Sequence, residues 1–172
     1  MDKRSRTVNG NVLPLRFKRH DFEAHCYNTQ ACSVVYDNHG FTHSYERASA
    51  PAPLGPDYRE NWGFASYIGV QNFPSSAQLK WISLDGARHE AEVDVGRIFK
   101  DEIALHRIPD EELPDGMFKQ GLIGGPSIFV EVNDRTVSVY FKALIPTKSE
   151  QMAGNRYSTG RDDLFLVFTR SY

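Results

Sequence analysis

The chain has 172 residues and a formal net charge of −2, with 40% hydrophobic and 24% charged residues. This length predicts one domain, 1–172, that buries enough surface to fold without staples. The near-neutral charge gives no field that would favour nucleic acid. No apolar run reaches the length needed to span a bilayer, which argues against stable membrane insertion.

The N-terminus is charged and no apolar run of signal length follows it. The two cysteines, Cys26 and Cys32, are therefore expected to be reduced thiols. We accordingly expect a cytoplasmic protein.

The first part of the chain predicts two strands and a long loop. Residues 1–11 are polar and expected to be peripheral, and residues 13–18 alternate apolar and polar side chains as a first strand does. Residues 31–37 predict a second strand that ends in a turn. The Pro- and Ala-rich segment 48–57 predicts a surface loop, followed by a short helical turn.

The middle of the chain predicts a third strand at 64–70 and then a hairpin. Asp85 and Gly86 are the pair preferred in a two-residue type I′ turn, and apolar residues alternate on both sides of it. A helical turn is expected near 97–100. Residues 102–108 predict another strand, with Ile103 and Leu105 facing inward.

The last third carries the clearest pattern. After a second long loop at 109–127, residues 128–145 alternate apolar and polar side chains around a break at 133–135, which predicts a central hairpin. A polar connection at 146–163 leads to a final strand. That strand has apolar residues on both faces and is expected to be buried on both sides.

Together these patterns predict an all-β fold, a single antiparallel β-sandwich of about eight or nine strands with long loops and little helix. A closed barrel is the alternative.

One group of side chains resembles a zinc site by residue type, namely Cys26, Cys32, His39 and His43. Structural zinc is usually held by two short pairs of ligands. Here the cysteine pair is widely spaced and a predicted strand separates it from the histidines. Buried thiols and loop histidines are the favoured interpretation, so no metal and no cofactor are expected.

A second group lies just before it, where His20 and His25 flank Asp21 and Glu23. Such a cluster could serve acid–base chemistry or coordinate a metal. A polar loop explains the same residues, and the chain has no nucleophile-elbow, P-loop or dinucleotide motif. We therefore assign no catalytic residue, and the enzyme question stays open.

The long loop offers the best candidates for partner contact, namely Leu54, Tyr58 and Trp62. Proline limits the entropy lost when such a loop is ordered, and aromatic side chains often dominate interfaces. The aromatic residues near the end of the loop form either a contact patch or part of the core, and the core is the favoured interpretation. They are Trp62, Phe64, Tyr67 and Phe73.

Three stretches carry a resemblance to a known family. They read LPLRFKRHDFEAHC at 13–26, EVNDRTVSVYFKALIPTK at 131–148, and GNRYS with DDLFLVFTRSY in the last nineteen positions, 154–172. The chain resembles an uncharacterised proteobacterial family encoded near type VI secretion loci, including those of lipase-type effectors.

The resemblance implies a toxin-associated role: a non-catalytic protein-interaction module acting as an immunity, adaptor or accessory protein. Its partner would be the product of a neighbouring gene, a secreted toxin or a delivery component. A small enzyme or a metal- or ligand-binding domain using the His20–His43 region is the alternative. A lipid-headgroup binder using the basic first twenty residues is a third possibility.

Overall fold

The computed structural model describes residues 4–41, 49–64 and 67–172. Its fold is all-β, as predicted, with one four-residue α-helix, α1 (Val95–Ile98), and two short 3-10 turns. The helical turns fall where the sequence predicts them, at Tyr58–Asn61 and at α1.

The strands are more numerous than expected because several are only two or three residues long. In chain order they are β1 (Arg6–Val8), β2 (Asn11–Leu13), β3 (Arg19–Tyr27), β4 (Thr29–Tyr36), β5 (His39–Gly40), β6 (Tyr67–Gln71), β7 (Ala77–Ser83), β8 (Arg88–Val93), β9 (Ser127–Asn133), β10 (Thr136–Lys142), β11 (Ile145–Pro146), β12 (Gly160–Arg161) and β13 (Leu164–Ser171).

Two open sheets carry the fold. One has the strand order β13-β10-β9-β3-β6 and the other β5-β4-β7-β8, and the short pairs β1-β2 and β11-β12 stand beside them. Most neighbouring strands are antiparallel, as expected, but β3 and β9 run parallel. The two sheets share one core, in which Val130 and Val139 of the first join Val34 and Leu79 of the second.

The chain passes from the first sheet to the second at Asn28, whose φ of 50° turns β3 directly into β4. Cys26 and Cys32 lie on either side of this corner and form a disulfide, with their Cα atoms 6.4 Å apart. The expectation of two reduced thiols is therefore wrong. The corner folds the strand back on itself and brings together two sulfurs that a straight strand would keep apart.

The central hairpin is formed as predicted. β9 and β10 close at the pair Asn133 and Thr136, and Asp134 takes a φ of 51° in the two-residue turn. Trp81 of β7 donates its indole N–H to the carbonyl oxygen of Asp134 at 2.7 Å. This bond ties the tip of the hairpin in one sheet to the middle of the other.

The hairpin of β7 and β8 differs from the predicted type I′ turn. That turn needs positive φ at both central residues, yet only Gly86 (φ 83°) has it, and the last paired residues are Ile82 and Arg88. The Asp85 carboxylate accepts hydrogen bonds from the Ser83 hydroxyl and from the Ala87 N–H. These bonds favour a longer loop with Asp85 at negative φ.

Three other expectations need correction. Residues 102–108 form only an isolated bridge between Ile103 and Arg16, because Glu102 has a φ of 53° that breaks the strand. Ala104 is buried there in place of Ile103 and Leu105. The first strand ends at Leu13, although the side chains of Leu13, Leu15 and Phe17 do face the core.

The last strand is the third expectation that needs correction. β13 lies at the edge of its sheet, and none of its residues is fully buried. Its register against β10 shifts between Val139 and Tyr140, so that Val167 is the extra residue of a bulge. The apolar residues on both faces reflect this shift, since Phe165 and Phe168 both pack against the core while Leu164 packs on the opposite face.

Val139→Asp is expected to unfold the domain or leave it insoluble, because Val139 is 0% exposed and the carboxylate would have no partner in the core. Leu144→Asp, at a leucine that is 69% exposed, is the matched control. Thermal melting and solubility of the two variants test the prediction. A soluble Val139→Asp variant with wild-type melting would contradict it.

Candidate functional site

β9 and β10 are buried on both faces, and the second face forms the candidate site. There Glu131, Phe129 and Tyr140 point away from the shared core but are only 3%, 0% and 8% exposed. The loop at 49–64 covers them. We call the side chains of this loop and of the sheet beneath it the loop–sheet cluster; its members are Glu23, His25, Tyr27, Tyr58, Arg59, Trp62, Phe129, Glu131 and Tyr140.

Glu131 is the polar anchor of this cluster. Its carboxylate accepts hydrogen bonds from the Tyr58 hydroxyl at 2.7 Å and from Nη2 and Nε of Arg59 at 2.9 and 3.3 Å. Burial, followed by the hydrogen bond to Glu131, raises the pKa of Tyr58, which therefore stays a donor at neutral pH. A buried carboxylate needs such partners, so Glu131 fixes the short helical turn onto the sheet.

Trp62 is the apolar anchor. Its ring lies parallel to His25, with centroids 4.5 Å apart, and packs at 5.2 Å from Phe129. The indole N–H donates to the Tyr27 hydroxyl at 3.1 Å. Trp62 is only 4% exposed, so it belongs to the core, which is the favoured interpretation of the aromatic group, and it is not an exposed partner contact. The apolar face of the sheet outcompetes solvent for this large ring.

The other two loop candidates have different positions. Tyr58 is half-buried and engaged with Glu131, whereas Leu54 is 93% exposed. Phe64, at the end of the loop, is 89% exposed. The loop is thus held from beneath by one set of side chains and presents another set outward.

The histidine and carboxylate group at the start of β3 is split between the two faces of the sheet. His25 and Glu23 lie in the loop–sheet cluster, where Nε2 of His25 is 3.0 Å from Oε2 of Glu23. Within the described residues Oε1 of Glu23 has no hydrogen-bond partner. Because Trp62 covers the imidazole ring, we interpret His25 and Glu23 as a structural pair that supports the loop.

His20 lies on the core face and is 0% exposed. Its Nδ1–H donates to Oδ1 of Asn72 at 2.8 Å, and its Nε2 accepts from the Tyr36 hydroxyl at 2.9 Å. This tautomer follows from Asn72, whose amide nitrogen donates elsewhere, to the carbonyl oxygen of Phe17. Both ring nitrogens are therefore engaged: Nε2 joins β3 to β4 of the second sheet, and Nδ1 joins it to Asn72, which follows β6 of the first sheet.

The residues grouped as a possible zinc site do not come together. Cys26 and Cys32 use both sulfurs in the disulfide, and His39 stacks on the ring of Tyr67 at 4.7 Å. His43 lies outside the described residues. Among the residues that are described, no three histidine, cysteine or carboxylate side chains are grouped to hold a metal ion.

Two of the basic residues among the first twenty are paired with acidic side chains. Lys18 pairs with Glu102, and Arg6 pairs with Asp110 of the second long loop. Lys3 lies outside the described residues. The part of the chain that the structure covers contains no helix long and apolar enough to cross a membrane.

A groove of about 550 Å³ opens beside the loop–sheet cluster, between the loop and the start of β13. Arg59 and Lys142 line it together with Asp57, Glu60 and Asp162. Arg59 is bound to Glu131, and Lys142 pairs with Asp162 at 3.2 Å. Both cations are thus matched by carboxylates, and Asp57 and Glu60 leave the lining of the groove with an excess of negative charge.

Sequence reasoning identified the loop but left its tryptophan between a partner contact and the core, and the structure places it in the core. Glu131 and Arg59 were not singled out at all, because their pairing joins positions 72 residues apart. The one signal was a glutamate placed in the middle of a strongly apolar hairpin. Comparisons of the chain with family models, with curated proteins and with solved structures found no match.

Trp62→Ala is expected to lower the free energy of unfolding by about 3–5 kcal/mol, the usual cost of removing a large buried aromatic side chain. Leu54→Ala, in the exposed part of the same loop, should change it by less than about 0.5 kcal/mol. Urea unfolding of both variants measures the difference. Equal stabilities would show that the loop is not fixed by its tryptophan.

A second prediction concerns pH. Burial lowers the pKa of His20 below its ordinary value of 6.5, while the bond to Asn72 and the charges of Asp21 and Asp37 oppose the shift. The unfolded chain thus binds a proton at a higher pH than the folded chain does. The free energy of unfolding should therefore fall as the pH drops below 6.5, by at most about 1.4 kcal/mol per pH unit for this group.

Unfolding curves between about pH 7 and about pH 5.5 test this slope, above the range in which most carboxylates titrate. His20→Gln, which cannot take up a proton, should show a flatter dependence than the wild-type chain. Parallel curves for the two proteins would rule out His20 as the source.

Proposed function

We propose that this chain is a non-catalytic protein-interaction module that binds the product of a neighbouring gene. Within that role it would serve as an immunity, adaptor or accessory protein for a type VI secretion effector. Its ligand would be a protein, a secreted toxin or delivery component, and not a nucleic acid.

The observation that carries the proposal is the construction of the loop at 49–64. Trp62, Tyr58 and Arg59 fix the loop to the sheet, while Leu54 and Phe64 are 93% and 89% exposed. Large apolar side chains on a surface are significant when they are held in place, because a fixed loop loses little entropy on binding. Loops supported in this way are common sites of protein contact.

The resemblance of the three sequence stretches supports the choice of partner. The role of His25 and Glu23 as supports for the loop favours binding over catalysis, since the ring of His25 is covered. A cytoplasmic location belongs to the same proposal. The Cys26–Cys32 disulfide weighs against it, because structural disulfides are rare in reducing compartments.

Co-expression with each neighbouring gene product, followed by purification on a tag, is the test. We expect one product to co-purify with the wild-type chain. Leu54→Asp and Phe64→Asp should each weaken that complex at least about tenfold, about 1.4 kcal/mol, because each places a charge in an apolar contact. Titration by calorimetry measures the change.

Leu144→Asp is the matched control, since it places the same charge at an exposed leucine outside the loop. It should bind like the wild-type chain. If no neighbouring product co-purifies, the proposed function is wrong. If a partner binds all three variants equally well, the function holds and the loop is not the contact surface.

A further inference from the structure

One edge of the first sheet is formed by β13, a long strand whose only charged residue is Arg170 near its end. β13 pairs with β10 and, in the described part of the chain, with no other strand. It carries no charged residue from Leu164 to Thr169, and Leu166 is 54% exposed. Edge strands are usually protected from further pairing by lysine, proline or covering segments. β13 has only the bulge at Val167.

The hydrogen-bond pattern of the sheet shows which backbone groups of β13 are free. The two-residue turn makes Asn133 and Thr136 the closing hydrogen-bonded pair of the central hairpin. Bonded positions alternate along an antiparallel pair, so every second residue of β10 directs its N–H and C=O toward β13. The residues of β13 that remain, with backbone groups directed away from β10, are Leu164, Leu166, Thr169 and Ser171.

These free positions are complementary to themselves under a two-fold rotation. If Leu166 lies opposite Thr169 of a second copy, then Leu164 lies opposite Ser171, and all four positions direct backbone groups toward one another. Because of the bulge, the free positions Leu166 and Thr169 are three residues apart and not two. In this pairing the bulges of both copies lie at the rotation axis, so the spacing of free positions is the same in the two strands. We propose that two copies of this chain associate by antiparallel pairing of their β13 strands, which would join their five-stranded sheets into one.

The side chains favour the same register. Arg170 falls opposite Phe165 of the second copy, an arrangement that favours a cation–π contact. Asp163 of the second copy is the next residue on that face, within the roughly 7–8 Å that separates diagonal neighbours. Arg170 already lies over the ring of Tyr172, 5.0 Å from its centroid, and so is positioned at this edge. Within the two paired strands no like charges are directly opposite, although Arg107 already lies over the Phe165 ring, 5.1 Å from its centroid.

An apolar groove beside the strand would also be covered. It has a volume of about 230 Å³ and is lined by Val167 with Ile98, Ile103 and Leu105, while Asp101 and Glu102 are the acidic residues of its lining. A two-fold dimer uses the β13 edge of both copies, so no β13 edge is left for a third copy. This closure distinguishes the pairing from open-ended aggregation.

Sedimentation of the purified chain over about 1 to about 100 µM measures the association, a range that brackets a micromolar dissociation constant. We expect the mass to rise from 19.5 kDa toward twice that value. Thr169→Pro removes one outward N–H, and proline is tolerated where that group faces solvent. This variant should stay monomeric, with an unchanged circular dichroism spectrum. Thr169→Val keeps the N–H and should still dimerise.

Cysteine cross-linking tests the register independently of any effect of proline on folding. Leu166→Cys combined with Thr169→Cys should give a disulfide-linked dimer, since opposed Cα atoms lie within bonding range. The two positions cannot bond within one chain, because three residues of strand span about 10 Å. Leu166→Cys with Ser171→Cys is the control, and it should cross-link far less.

A wild-type chain that stays monomeric throughout the concentration range would overturn the proposal. So would a dimer that Thr169→Pro leaves intact, or equal cross-linking of the two cysteine pairs. None of these results depends on whether a neighbouring gene product binds the loop.

Discussion

The burial of Glu131 is the constraint on which the outer half of this molecule depends. A carboxylate that is 3% exposed must find hydrogen-bond donors. Arg59 and Tyr58 supply them from a loop that is distant in sequence. Once these bonds form, Trp62 is carried onto Phe129 and His25, and the second face of the sheet becomes a second core. The loop is therefore part of the fold.

This arrangement separates the supporting side chains of the loop from those it presents. Trp62 and Arg59 face the sheet, while Leu54 and Phe64 face solvent. A similar division applies to the first sheet as a whole. Its middle strands are covered on both faces, and its last strand, β13, keeps a free edge. The outside of the loop and the β13 edge are thus two different surfaces that are open to partners.

The corner at Asn28 has an equally wide effect. It turns one long extended segment into two strands, β3 and β4, that belong to different sheets. His20, on the first of them, then reaches Tyr36 on the second, and Cys26 reaches Cys32. Polar and sulfur groups that looked like candidate ligands in sequence become contacts between the two layers. A ring nitrogen of His20 and the sulfurs of both cysteines hold the two sheets together.

The sequence by itself determined the all-β class, the central hairpin and the position of the long loop, because period-two alternation and turn residues act over a few neighbouring positions. It did not determine which aromatic residues of the loop face inward. That choice depends on the apolar face of β9 and β10 and on Glu131, which meet the loop only after folding. Tertiary structure likewise decided three other features: the disulfide, the bulge in the edge strand β13 and the break at Glu102. Each depends on a partner strand that no local pattern reveals.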